Sequence, residues 1–294
     1  MLTGVIPILA TPFTGDDRVD VPALSRVAEF AVASGATAVA TLGMASEAFA
    51  LSEAERTLVV GVIRASIGPQ VPLIAGVAAT SRPGALAQGT AARQAGADGL
   101  MVLPPFLVKP TRQGLISFYQ TLGEDLGNIM VQDAPQVTGV AMPPDLIAEL
   151  AALPGITSFK IETPDSPAAI QQIHRLAPQA TLLGGRNAVE MPAELAAGSV
   201  GTMPACEFTG ELSALHAGRS AGKDIKAAYA RLLPLLSFGV RPGKGWAVHK
   251  HLLHRRGVVT STAVRFPAEP LTTTETAELD QLWDTWQTEG NSHA

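Results

Sequence analysis

The stretch Gly96-Ala97-Asp98-Gly99-Leu100-Met101-Val102-Leu103 decides how the rest of the chain is read. Glycine at 96 suits the left-handed position that closes a helix. The apolar run Gly99–Leu103 is too short for a helix, and it lacks the polar alternation of a strand with one wet face. A strand apolar on both faces belongs to a parallel sheet covered on both sides. The same unit recurs at Gly4–Leu9, Ala36–Leu42, Pro72–Val77, Ile129–Asp133, Thr157–Ile161, Thr181–Gly184 and Val200–Met203. With Gly99–Leu103 these make eight strand candidates, each followed by a turn and a segment of helical spacing. Helix starts fall near Val21, Ser81, Thr111, Pro143, Ser166, Asn187 and Thr209, and Ser52-Glu53-Ala54-Glu55 is a capping box. Eight βα periods predict an α/β chain closed as a (β/α)8 TIM barrel rather than an open sheet.

From residue 223 the strand pattern stops and three helices are expected: Ile225–Leu236, Lys244–Arg256 and Thr274–Thr288. The last carries Leu279, Leu282, Trp283 and Trp286 on one stripe. The expected organisation is a barrel over residues 1–222 and a C-terminal three-helix domain over 223–294, with Gly290–Ala294 frayed.

Composition narrows the function. The 294 residues are 47% hydrophobic and 16% charged, which suits a folded core rather than disorder. A net charge of −5 and 5% aromatic content argue against a phosphate-neutralising or base-stacking surface, so no nucleic-acid partner is expected. The absence of a long uninterrupted apolar run and of a leader pattern leads to the expectation of a soluble, cytoplasmic protein without a membrane partner. A single cysteine, Cys206, excludes an intramolecular disulfide framework and is expected to be a small buried side chain. No nucleotide-binding glycine pattern is present.

In a barrel of this kind chemistry sits at the C-terminal ends of the strands. Five of the six lysines (Lys109, Lys223, Lys226, Lys244, Lys250) fall in loop or helix segments where a solvated ammonium is expected. Lys160 ends the sixth strand pattern. Burial there disfavours the ammonium and leaves a neutral amine that can attack a carbonyl. The alternative for Lys160 is a structural pair with Glu162 or another carboxylate. The turn Gly43-Met44-Ala45-Ser46-Glu47 after strand two could seat a carboxylate on its amides, or be an ordinary loop. Gly184-Gly185-Arg186-Asn187 offers Arg186 to an anion, with Asn187 as a helix cap. His249, His251 and His254 are read as a solvated helix face, and no metal site is expected.

These stretches resemble the dihydrodipicolinate synthase and N-acetylneuraminate lyase family of class I aldolases and dehydratases. The landmarks are Gly4-Val5-Ile6-Pro7, Thr11-Pro12-Phe13, the Gly43–Glu47 loop leading into Leu51–Arg56, Pro104-Pro105, Pro135 with Thr138-Gly139, and Phe159-Lys160. The resemblance implies a barrel with a helical extension, a homo-oligomer (tetramer or dimer), a 2-oxo acid such as pyruvate as substrate, no cofactor, and Lys160 as the Schiff-base residue. Two departures stand out. The family loop Gly-Thr-Thr-Gly-Glu has lost both threonines here, and Gln132 replaces the tyrosine at the end of strand five.

An amide cannot take a proton from a C4 hydroxyl as aldol cleavage requires. Its presence favours elimination of water, and the variant set looks like the branch containing L-2-keto-3-deoxyarabonate dehydratase. Carried over, that resemblance puts the substrate carboxylate on Gly43, Met44 and Ala45. Ser46 and Glu162 become candidates for proton handling, with Gln132, Arg186 and Glu207 at the polyol end. The expectation is a lyase that dehydrates a 2-keto-3-deoxy sugar acid. The alternatives are a pyruvate-dependent aldolase or synthase, and a non-catalytic barrel that binds a small acid.

Overall fold

A computed structural model describes residues 2–291. Its eight strands are β1 (Gly4–Val5), β2 (Val39–Thr41), β3 (Leu73–Val77), β4 (Gly99–Val102), β5 (Ile129–Asp133), β6 (Ile156–Ile161), β7 (Leu182–Gly184) and β8 (Gly201–Thr202). All pair in parallel in the order β1-β8-β7-β6-β5-β4-β3-β2. Closure is made just beyond β1, where Ile8 bridges both Ala40 and Ala205, and the Leu9 amide donates to the Ala40 carbonyl at 2.8 Å. The chain is the expected TIM barrel. Every expected strand appears, several shortened at their ends.

The helices are α1 (Val21–Ala33), α2 (Glu53–Ile67), α3 (Arg82–Gln94), α4 (Arg112–Leu126), α5 (Pro135–Thr138), α6 (Pro144–Leu150), α7 (Ser166–Leu176), α8 (Met191–Ala197), α9 (Thr209–Ser220), α10 (Lys226–Phe238), α11 (Gly245–Arg255) and α12 (Thr273–Asn291). The Ser52/Glu55 capping box opens α2 as expected. The short α5 is an addition to the expected elements. The helix expected at Asn187 begins instead at Met191, because Arg186, Asn187 and Ala188 all take positive φ (46°, 54° and 61°). Asn187 is therefore no helix cap: its side-chain amide donates to Leu236 O at 3.0 Å and its oxygen accepts from the Ala205 amide at 3.0 Å. The expected fraying of Gly290–Ala294 lies largely outside the described residues, and α12 runs to Asn291.

Alternation along each strand divides the core in two. Ile6, Ile8, Ala40, Ile74, Met101, Met130, Leu183 and Met203 fill the barrel interior, while neighbours such as Leu73, Leu100, Ile129, Val131 and Phe159 pack outward against the helices. Further apolar packing joins Val5, Ala188, Met191 and Phe208 to Leu236, Val248, Leu252, Leu279 and Trp283 of α10–α12. The helical extension thus shares a core with the β7 and β8 end of the barrel. Cys206 is fully buried, as expected.

On α11 the structure overturns two expectations. Lys250 is not solvated but buried, donating to Ala263 O at 2.7 Å, ion-paired with Glu47 and standing 4.0 Å above the Phe13 ring. The histidines do not form a solvated face either. His249 is buried, 2.8 Å from Glu207, and His251 meets Asp280 at 2.9 Å; only His254 faces solvent. The physical reason is the same in both cases: the apolar stripe of α11 is continued by side chains whose polar tips find partners on distant loops or, for His251, on α12.

Glu194 of α8 presses on the back of β7. A Cβ on Gly184 would stand 1.8 Å from its Oε2, so only glycine fits there. Burial, helped by the nearby charges of Glu190 and Glu162, pushes the Glu194 carboxyl up to about 7, although Ser166 donates to it at 2.6 Å. The folded chain holds this proton to about pH 7, whereas an unfolded chain releases it near 4.5. Stability therefore falls as pH rises through that interval and stays reduced above it, by at most about 3 kcal/mol. Glu194→Gln removes the loss: its Tm gain over the parent should be absent near pH 4 and grow up to about pH 8 in calorimetry. A pH-independent difference overturns the assignment.

Candidate active site

Alternation aims the two last inward residues of β5 and β6, Gln132 and Lys160, into the mouth of the barrel, where they are partners in the strand register. Lys160 is 4% exposed. Its Nζ lies 3.1 Å from Glu162 Oε1, and the Gln132 amide donates to Glu162 Oε2 at 2.6 Å. The Arg186 backbone amide donates to Oε1 at 2.9 Å. Burial pushes the Glu162 carboxyl up, but the Lys160 charge and these donors outweigh it and hold the group below its ordinary value. Glu162 is thus an anion placed on the lysine nitrogen. Gly185 makes the contact possible, because a Cβ there would stand 2.4 Å from Glu162 Oε1.

The turn after β2 is a short 3-10 segment, Met44–Ser46, entered from Gly43. The amides of Met44 and Ala45 are not drawn into backbone hydrogen bonds, as at any helix start. The turn is fastened from behind. Thr11 donates to Ser46 O at 2.7 Å, the Ser46 hydroxyl to Leu9 O at 2.5 Å, and the Trp246 indole to Met44 O at 2.5 Å. Glu47, with φ of 55°, receives the Arg265 amide at 3.0 Å and pairs with Lys250. Burial pushes the Lys250 ammonium down to about 8 against the opposing pull of Glu47. Gly76 packs on Leu42, itself at φ 56°: a Cβ on Gly76 would stand 2.0 Å from Leu42 O.

Lys160, Glu162, Gln132 and the Arg186 amide form one cluster, and Gly43 and Met44 line with Gln132 a cavity of about 420 Å³ at the mouth. Ser46 is buried behind the turn. The Arg186 side chain turns to Glu190 at 3.0 Å and Pro164 O at 3.3 Å, and Glu207 is engaged by His249. Sequence reasoning missed Asn187 as a clamp and Trp246, His249, Lys250 and Arg265 as supports. Their partners after β2 and β8 lie from 18 (Asn187 to Ala205) and 42 (His249 to Glu207) to 218 (Arg265 to Glu47) positions away, beyond the reach of any local pattern. Among the described residues no group of three or more His, Cys, Asp or Glu side chains could hold a metal ion, and no helix is long and apolar enough to cross a membrane.

A profile of the dihydrodipicolinate synthetase family matches residues 1–285. The chain belongs to that family. It is 28% identical over 285 residues to the L-2-keto-3-deoxyarabonate dehydratase of Azospirillum brasilense, covering 94% of this chain and 92% of the relative. It is 34% identical over 165 residues to the 4-hydroxy-tetrahydrodipicolinate synthase of Methylococcus capsulatus, a match that takes in 55% of this chain and only 56% of that relative's length. Among solved structures, the dihydrodipicolinate synthase of Rhodopseudomonas palustris superimposes with a TM-score of 0.90 at 25% identity, over 97% of each chain. This member of the dihydrodipicolinate synthetase family therefore has both dehydratase and synthase relatives.

Gly185→Ala tests the cluster. The added methyl group must displace the Glu162 carboxylate from Lys160, and misplacement on the ångström scale costs about 100-fold in rate. Circular dichroism should be unchanged while turnover falls by that order. Full activity in the variant would remove Glu162 from any part in the chemistry.

Proposed function

We propose that the protein is a cofactor-free Schiff-base lyase that dehydrates a 4-hydroxy-2-oxo acid, the class to which 2-keto-3-deoxy sugar acids belong. The observation that carries the reading is the buried Lys160–Glu162 contact of 3.1 Å beside an amide, Gln132, where the family resemblance implies a phenol.

In this reading the substrate carboxylate sits on the Met44 and Ala45 amides and its C2 carbonyl meets Lys160. Glu162 takes the ammonium proton, the free amine adds to C2, and water leaves to give a protonated imine. The imine nitrogen then draws electrons from C3. Glu162 gives its proton back to the departing water as the imine forms and, again an anion, removes a C3 proton to give the enamine and returns it to the C4 hydroxyl, which leaves as water. Hydrolysis releases the unsaturated 2-oxo product and restores the lysine.

Aldol cleavage would need a base on the C4 hydroxyl. Gln132 has none to offer, the Ser46 hydroxyl gives its hydrogen to Leu9, and in this reading Glu162 meets the C4 oxygen only as an acid, carrying the proton taken from C3. The whole-length similarity to a dehydratase supports elimination. We also propose a cytoplasmic homo-oligomer, dimer or tetramer: Leu107 and Val108 on the loop after β4, 76% and 77% exposed, give apolar surface for a second copy. Light scattering of the purified chain checks it.

Borohydride reduction with a 2-oxo acid should fix a mass adduct on Lys160, and product analysis should find the dehydrated acid. Pyruvate and an aldehyde without the dehydrated acid would give the reaction to the aldolase alternative. No adduct with any acid would support the non-catalytic one. Glu162→Gln should lower kcat by about 100- to 10,000-fold. Because Glu162 is held anionic below its ordinary value, the acid limb of the kcat/KM profile should lie below pH 4.5.

A further inference from the structure

The cavity at the mouth is unevenly built. Its wall runs from the β2 turn across the ends of β3, β4 and β5, and it is formed largely by Met44, Phe49, Val77, Leu103, Phe106 and Val137. Several polar groups on that wall are engaged within the protein, while Glu53 lines it at an exposed position. Arg56 donates to Ala48 O at 3.1 Å and Gly76 O at 3.0 Å, the Thr138 hydroxyl to Ala134 O at 3.0 Å, and the Gln132 amide to Glu162. Across the mouth, Arg186 is engaged by Glu190, and Glu207 holds His249 through Oε1 while its Oε2 has no partner.

Resting on the Schiff-base reading above, we propose that this wall is a specificity subsite for an alkyl or aryl group at C4 of the 4-hydroxy-2-oxo acid. The cavity of about 420 Å³ is lined by Gly43 and Met44, where the carboxylate is proposed to sit, and by Gln132; Lys160 does not line it but is the register partner of Gln132 on the next strand. A six-heavy-atom acid such as pyruvate occupies on the order of 100–200 Å³ at liquid density. The remaining space adjoins C4. An apolar group there gains by leaving water, whereas each hydroxyl of a sugar acid loses its water partners to a wall with few replacements. Val137 and Phe49, each about half exposed, form the lip over which a flat or branched group enters.

The test compares three acids on the wild-type enzyme: 4-hydroxy-4-phenyl-2-oxobutanoate, a 4-hydroxy-2-oxoalkanoate with a straight alkyl tail, and a 2-keto-3-deoxy pentonate. Borohydride trapping with pyruvate is run alongside. The inference expects a Lys160 adduct and a kcat/KM for the phenyl or alkyl acid about 10- to 100-fold above that for the sugar acid. Equal or better use of the sugar acid with the adduct still formed overturns the subsite and leaves the Schiff-base reading standing. Absence of any adduct overturns both. Val137→Asp, at a half-exposed lip position, should reduce the phenyl-over-sugar preference by at least about tenfold. An unchanged preference removes Val137 and the lip from the subsite.

Discussion

The arrangement depends on one contact, the Glu162 carboxylate on the Lys160 ammonium inside the barrel mouth. Bringing these two charges out of water is costly, and it is tolerated here because the carboxylate gathers further donors. The Arg186 amide and Gln132 supply what Lys160 alone does not. The contact also fixes sequence at a distance. Gly185 must lack a side chain, β6 must keep its register, and the loop after β7 must run through three left-handed residues to turn the Arg186 amide toward the carboxylate. Removing either charge would leave the other buried without a counter-charge, a costlier state than the pair.

Left-handed residues without glycine are strained, and they persist where surroundings hold them. Here the surroundings are supplied by the C-terminal helices. Asn187 is held by Leu236 of α10 and Ala205 after β8, and Tyr229 donates to Ala188 O at 2.9 Å. The β2 turn, with Leu42 and Glu47 left-handed, is held by Trp246 and Lys250 of α11 and by Arg265. The extension therefore acts as a brace on two of the loops at the mouth. An apolar stripe on α12 secures the brace, with Phe208 and Trp286 meeting edge to face at 5.5 Å.

The barrel was legible because its strands are covered on both faces and read as short apolar runs between helices that carry their own caps. Lys160 was legible for the same reason: a lysine ending such a run has nowhere wet to go. What the strands conceal is direction. With both faces apolar, residue type does not tell inward from outward, so Met101 in the barrel interior and Leu100 against the helices look alike in sequence. The braces from the C-terminal segment were illegible because they join residues 41 to 218 positions apart. Lys250 sits in His249-Lys250-His251, a run that any local reading assigns to solvent, and only the folded position of Glu47 draws it inside. The strained loop after β7 was hidden too, since Arg186-Asn187-Ala188 contains no glycine to announce a left-handed backbone.

Three buried carboxyls near the lysine differ in charge because their environments differ. Glu162 has a cation and two donors and is held below its ordinary value. Asp133 and Glu194 lack a cation at bonding distance, and burial lifts both to about 7. Below that pH the cluster holds one anion opposite one ammonium, a balance that a low-dielectric site can sustain. Above it, Asp133 and Glu194 begin to ionise behind Glu162 and add negative charge to this part of the barrel wall. Strand alternation places Asp133 on the helix side of β5, and Glu194 faces the same layer from α8; the Glu162 charge helps burial to raise both.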